Sequence, residues 1–82
     1  MNDRSRRGRI HDLDVTVWVG KHGIEAVVDE LDDQLDDREL VKVKFHRSAR
    51  AGTDAETLAG DLAERVGASV VETRGHTAVI ER

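Results

Sequence analysis

The sequence contains no cysteine and no proline. The missing cysteines exclude a disulfide framework and a thiolate metal site, so nothing points to a stapled, secreted fold. No uninterrupted apolar run reaches 10 residues, which is too short for a membrane span or a signal-peptide core. A soluble, cytoplasmic protein is the expectation. Aromatic residues are only 2% of the chain, so each one stands out. At 82 residues a single domain is expected, and a domain of this size buries only about 60 to 65% of its unfolded surface. That leaves little room for a deep, walled cavity. Function should sit on a face or a loop.

Charge is abundant. Charged residues make up 37% of the chain and the net charge is −4. Taken as a whole, that balance disfavours a phosphate-rich partner, which rewards positive potential. The distribution is uneven, however. Glu25 to Glu39 holds eight acids against Arg38 alone, a net of −7, so the remainder carries −4 + 7 = +3. One segment is strongly acidic and the rest is mildly basic.

Residues 1–9 include Arg4, Arg6, Arg7 and Arg9 with almost nothing apolar, and read as a flexible basic arm. Residues 10–82 form the domain. From Leu13 to Val19 apolar residues alternate with Asp14, Thr16 and Trp18, the pattern of a half-buried strand. Gly20-Lys21-His22-Gly23 ends it. Ile24, Val27, Val28, Leu31 and Leu35 then recur at helical spacing, predicting a helix from Ile24 to Asp37 with an acidic outer side. Leu40 to Phe45 alternates again. The stretch His46 to Gly52, with Arg47 and Arg50, has no period and reads as a basic loop. Thr53-Asp54-Ala55-Glu56 has the form of a capping box. The stripe Ala55, Leu58, Ala59, Leu62, Ala63 and Val66 comes next, with Gly67 placed to close the helix. Ser69 to Thr73 and Thr77 to Glu81 read as a hairpin around Arg74-Gly75-His76.

The expected fold is therefore α/β in two layers, β-α-β-α-β-β, with a four-stranded mixed sheet and both helices on one face. The first three strands should be parallel, and the last antiparallel to its hairpin partner. The second sheet face would carry Thr16, Trp18, Lys42 and Lys44.

The turn Gly20, Lys21, His22, Gly23 is the sharpest local signal. Paired glycines allow positive φ and close approach of a phosphate backbone. A helix N-terminus would add amide donors and a favourable dipole. An equally simple reading is a structural turn between strand and helix. Trp18 offers a stacking surface for a base, with Lys42 and Lys44 for phosphates, unless the N-terminal segment folds over that face and buries the ring. Arg47, Arg74 and His76 lie on neighbouring loops. His11, His22, His46 and His76 lack the spacing of a metal motif, so neither a metal nor a cofactor is expected. The acids of the first helix read as a solvated face, because nothing apolar nearby would raise a carboxylate pKa. No nucleophile-elbow or Walker pattern is present, and catalysis has no support.

The segment VGKHGIEAVVDELDDQLDDRELVKVKF (Val19 to Phe45) and the ending GASVVETRGHTAVIER (Gly67 to Arg82) resemble the CRS1-YhbY, or CRM, domain. The likeness runs from Ile10 to Arg82 and includes a His11-x-Leu13 pair before the first strand. It implies a fold similar to the C-terminal domain of translation initiation factor three, with sheet order 1-2-4-3. It also implies RNA binding through Gly20, Lys21, His22 and Gly23, since single-domain bacterial members associate with precursors of the large ribosomal subunit and plant organellar members act in splicing. The expected function is accordingly rRNA binding in large-subunit assembly, by a monomer. The alternative is a protein-interaction module whose acidic helix docks on basic ribosomal proteins. Two departures stand out. The family's first helix normally precedes the His-x-Leu pair, where this chain is Arg-rich, and the family is usually basic. Abundant Asp, Arg in preference to Lys and few aromatics point to halophilic adaptation, in which surface acids solvate the protein in concentrated salt.

Overall fold

The computed structural model describes Ile10 and residues 12–82. The Arg-rich stretch 1–9, expected to form an arm, and His11 lie outside the described residues. Along the chain come β1 (Val15–Val19), a 3-10 helix (Ile24–Val27), α1 (Val28–Asp37), β2 (Leu40–Phe45), α2 (Ala55–Arg65), β3 (Ser69–Arg74) and β4 (Thr77–Glu81). The strands form one sheet in the order β1-β2-β4-β3. β1 and β2 are parallel, while β4 runs antiparallel to both β2 and β3. Three strands therefore point one way and β4 the other, as expected.

Strand alternation builds the principal core. Val17 and Val19 of β1, with Val41, Val43 and Phe45 of β2 and Ala78 and Ile80 of β4, face the helices. Leu31 and Leu35 of α1 and Ala59 and Leu62 of α2 meet them from above. Val17, Val19, Leu31, Val43, Phe45, Leu62 and Ile80 are wholly inaccessible to solvent. Burying a side chain of this kind contributes about 1.5 to 3 kcal/mol, which makes these few positions decisive in so small a domain. Among the described residues no polar or charged side chain is buried.

Three details depart from the sequence-based expectations, and a fourth decides between alternatives they left open. First, β1 does not alternate throughout. Val15 pairs in register with Lys42 and Val17 with Val43, so Thr16 is the extra residue of a bulge. Its hydroxyl donates to Gln34 Oε1 of α1 at 2.5 Å, and Gln34 Nε2 donates to the Thr16 carbonyl at 3.2 Å. Thr16 is thus tied to the helix and does not share the second face with Trp18.

Second, the helix expected from Ile24 to Asp37 is divided. A 3-10 turn brings Ile24 and Val27, three residues apart, onto one line against the core. Val27 then leaves helical geometry at φ −116 and ψ 3 before α1 begins at Val28. The apolar stripe runs unbroken across the change, which is why periodicity alone does not reveal it.

Third, α2 is capped one residue later than the capping box suggests. Asp54, not Thr53, is the N-cap, and its carboxylate accepts the Thr57 amide at 2.7 Å. The carboxylate offers a charged acceptor to a positive helix end, a stronger partner than a hydroxyl. At the other end Gly67, at φ 65, closes the helix. Ala68 N–H bonds Ala63 O and Gly67 N–H bonds Glu64 O, the two bonds of a Schellman motif.

Fourth, the second sheet face is partly covered. Ile10, in helical conformation, packs on Leu40 and Val79 with Leu13 and Val71 beside them. This small second core occupies the part of the face where β2 begins. It does not reach the other end, where Trp18 stays 52% exposed.

Candidate functional site

Strand directions bring three loops together. β1 ends at Val19, β2 ends at Phe45, and β3 ends just before β4 begins, all at one end of the sheet. Two bonds knit the loops to one another: His46 N–H donates to Val19 O and Phe45 N–H to His76 O, each at 2.8 Å. Lys21, His22, His46, Arg47 and His76 are exposed on these loops, and Arg74 is exposed at the end of β3. Residues separated by more than fifty positions in sequence thus share one edge.

The Gly20-Lys21-His22-Gly23 turn is closed by Gly23 N–H to Gly20 O at 3.0 Å. That bond presents Lys21 and His22 at its tip. The two glycines differ in what they do. Gly23 sits at φ 76 and ψ −176, a region essentially reserved for glycine. Gly20 has no positive φ, and a β-carbon there would lie 3.9 Å from Ser48 Oγ, an ordinary contact. Conformation requires glycine only at Gly23. The expected helix N-terminus is also absent from the turn. The chain passes instead into a four-residue 3-10 helix, and α1 proper starts at Val28. A macrodipole argument for anion binding therefore does not hold at this turn. What the turn offers an anion is the side chains of Lys21 and His22 at its tip.

The loop from His46 to Thr53 is more ordered than its lack of period suggests. Ala49 N–H bonds His46 O at 2.9 Å, Arg50 N–H bonds Arg47 O at 3.1 Å, and Thr53 N–H bonds Arg50 O at 3.0 Å. Arg50 Nε also donates to Phe45 O at 3.1 Å, tying the loop to the end of β2. Successive turns hold Arg47 outward and place Ser48 beside Gly20.

On the second sheet face the register sets a row across all four strands. Trp18 pairs with Lys44, Lys44 with Thr77, and Thr77 with Arg74. One pleat further in, Lys42 stands between Val15 and Val79. A cavity of about 150 Å³ opens there, lined by Ile10, Lys42, Glu72, Arg74, Thr77 and Val79. The chain has three lysines, and Lys21, Lys42 and Lys44 all stand on this face or its bordering turn.

One acid shares this face: Glu72 pairs with Val79 and lines the same cavity as Lys42 and Arg74. The acids of the first helix are placed elsewhere. Asp29, Glu30, Asp33, Asp36 and Asp37 are exposed on α1, which covers the opposite side of the sheet. Asp32 and Asp36 are bridged by Arg82, whose guanidinium also donates to Val66 O at 3.1 Å. Glu25 pairs with Arg65 of α2. The lysines are thus gathered on the sheet face and its loops, with Glu72 among them, while most of the acids lie on the helix side. No three His, Asp or Glu side chains converge as metal ligands among the described residues. No helix of the described residues is long and apolar enough to cross a membrane.

The structure thus brings together Trp18, Gly20, Lys21, His22, Gly23, Lys42, Lys44, Arg47, Arg74 and His76, which were singled out from sequence. Ser48 and Thr77 join them unanticipated. Nothing in their local sequence marks them, since Ser48 gains its place from the Gly20 turn and Thr77 from strand register.

Three comparisons bear on this arrangement. The family model described as CRS1 / YhbY (CRM) domain matches residues 2–82. A protein of Methanocaldococcus jannaschii named as a probable RNA-binding protein is 40% identical over 79 residues, covering 96% of this chain and 59% of that protein. The chain therefore spans little more than half of that relative's length. The solution structure of a hypothetical Staphylococcus aureus protein, described as a candidate RNA-binding protein, matches with a TM-score of 0.73 at 31% identity. That match covers 96% of this chain and 81% of the other.

Proposed function

This chain belongs to the CRS1/YhbY (CRM) domain family, and from that premise we propose that it is a cytoplasmic RNA-binding module, without catalysis, that engages rRNA during large-subunit assembly. The observation that carries the reading is charge segregation. In a protein of net charge −4, all three lysines, with Arg47 and Arg74, stand on one sheet face and its loops, while the α1 acids face away. An RNA approaching that face meets cations at short range and leaves the acidic helix on the far side, beyond a Debye length of roughly 8 Å at physiological salt. Lys21 and His22 at the turn tip, Arg47 beside them and Arg74 with His76 on the hairpin would contact phosphates. Trp18, Lys42 and Lys44 extend the surface onto the sheet. Gly23 holds the turn in shape, and Gly20 lets it lie against Ser48.

The RNA names carried by the two relatives support the chemical class of ligand. Replacing Lys21 and His22 by Asp tests it. Binding to large-subunit rRNA fragments should fall sharply while the circular dichroism spectrum stays that of the wild type. A second reading has an observation of its own: the exposed acids of α1 form a face suited to a basic ribosomal protein. Neutralising Asp29, Asp33 and Asp37 to Asn, with the turn left intact, separates the two. Loss of association with ribosomal proteins in that variant alone, with RNA binding untouched by the Asp pair at the turn, would favour the second reading.

A further inference from the structure

Trp18 is the chain's one tryptophan and its one exposed large hydrophobic side chain among the described residues. An isolated apolar residue on a surface needs no explanation, but the placement of this one is particular. The ring stands on β1, an edge strand, so Lys44 of β2 is its in-register neighbour on one side and the sheet is open on the other. The row continues through Thr77 to Arg74, a length of about 14 Å at roughly 4.8 Å per strand. Thr77 Oγ1 donates to Arg74 O at 2.9 Å, which commits its proton and leaves the oxygen as an acceptor only. The second core around Ile10 seals the other part of this face and stops short of the ring. The row carries an aromatic surface at one end and two cations, Lys44 and Arg74, along its length, with Glu72 one pleat further in.

We propose that the row Trp18, Lys44, Thr77, Arg74 is a subsite for unpaired RNA, in which one nucleobase stacks on the Trp18 indole while neighbouring phosphates lie against Lys44 and Arg74. This rests on the RNA-binding function proposed for the domain and adds the class of RNA to it. A stacking ring needs a free base face. In a duplex each base face is already covered by its neighbours, and an A-form helix is met instead through its shallow groove and phosphates. Single strands offer exposed faces of every sequence, so stacking confers preference for unpaired over paired RNA without base identity. The turn at Lys21 and His22 contacts phosphate in either form, whereas the Trp18 row discriminates between them.

Because Trp18 is the sole tryptophan, its emission reports directly on its own surroundings. The test uses the full chain with a mixed-sequence 12-nucleotide RNA that does not self-pair, and the same strand annealed to its complement. Trp18 fluorescence and the anisotropy of end-labelled RNA are read in parallel. The single strand should quench Trp18 and bind more tightly than the duplex, which should leave the emission unchanged. Trp18→Leu, an exposed position where the fold bears little load, should weaken single-strand binding by about 5- to 150-fold and leave duplex binding as it was. Trp18→Phe should recover much of the loss. Equal affinity for both RNAs, with no quenching and no effect of Trp18→Leu, would overturn the subsite while leaving RNA binding intact. Failure to bind either RNA would overturn both readings.

Discussion

The strongest quantitative consequence of the gathered cations concerns salt. Lys21, Lys42, Lys44, Arg47 and Arg74 stand on one surface, and each can displace a counterion from the phosphate it meets. For single-stranded RNA the slope of log K against log salt is about −0.7 per phosphate neutralised. Full use of the five cations gives a slope of about −3.5, or roughly a 130-fold loss of affinity between about 50 and 200 mM salt. Lys21→Gln, Lys44→Gln and Arg74→Gln together should leave about −1.4, or roughly a 7-fold loss over the same range. Glutamine keeps a polar side chain of similar reach, so the fold should be undisturbed. Arg38→Gln is the control, because Arg38 is exposed at the end of α1, away from the three loops. The measurement is anisotropy of a labelled single strand titrated at four or more salt concentrations. A triple variant with the wild-type slope, or a control that flattens it instead, would refute the assignment of the surface.

The two glycines of the turn should behave differently under urea denaturation. Gly23→Ala, forced into positive φ with extended ψ, should cost about 1 to 3 kcal/mol, and Gly20→Ala should be close to neutral; equal costs would contradict the geometry. The Thr57 amide holds the Asp54 carboxyl below the usual carboxylate range. A depressed folded pKa contributes stability above the unfolded value, and that contribution is lost as pH falls through the folded one. Asn caps without titrating, so the Tm difference between wild type and Asp54→Asn should be constant above pH of about 5 and shift below about 4; a difference independent of pH would show that the capping bond does not depend on charge. If the exposed acids of α1 reflect salt adaptation, Tm should rise as potassium chloride is increased toward about 1 M, where the Debye length is roughly 3 Å. A flat or falling Tm would remove that explanation of the composition.

Much of the architecture was legible in local pattern. Alternation from Leu40 to Phe45 marks β2 to the residue, and Gly67 marks the end of α2, because a strand's two-residue period and a helix closure depend on the chain's own geometry. Local pattern also placed the glycine turn between the first strand and the first helical segment. What it could not show was anything set by one segment acting on another. The bulge at Thr16 leaves the apolar sequence of β1 unchanged and appears only when Val15 and Val17 are matched to Lys42 and Val43. Asp54 outcompetes Thr53 as N-cap only once the helix start is in place. Whether Trp18 would be covered depended on where Ile10 packed, and it packs on Leu40 and Val79, one end short of the ring. The row from Trp18 to Arg74 exists because four strands align in a particular register, and register is settled by the packing of a shared core rather than by any one strand.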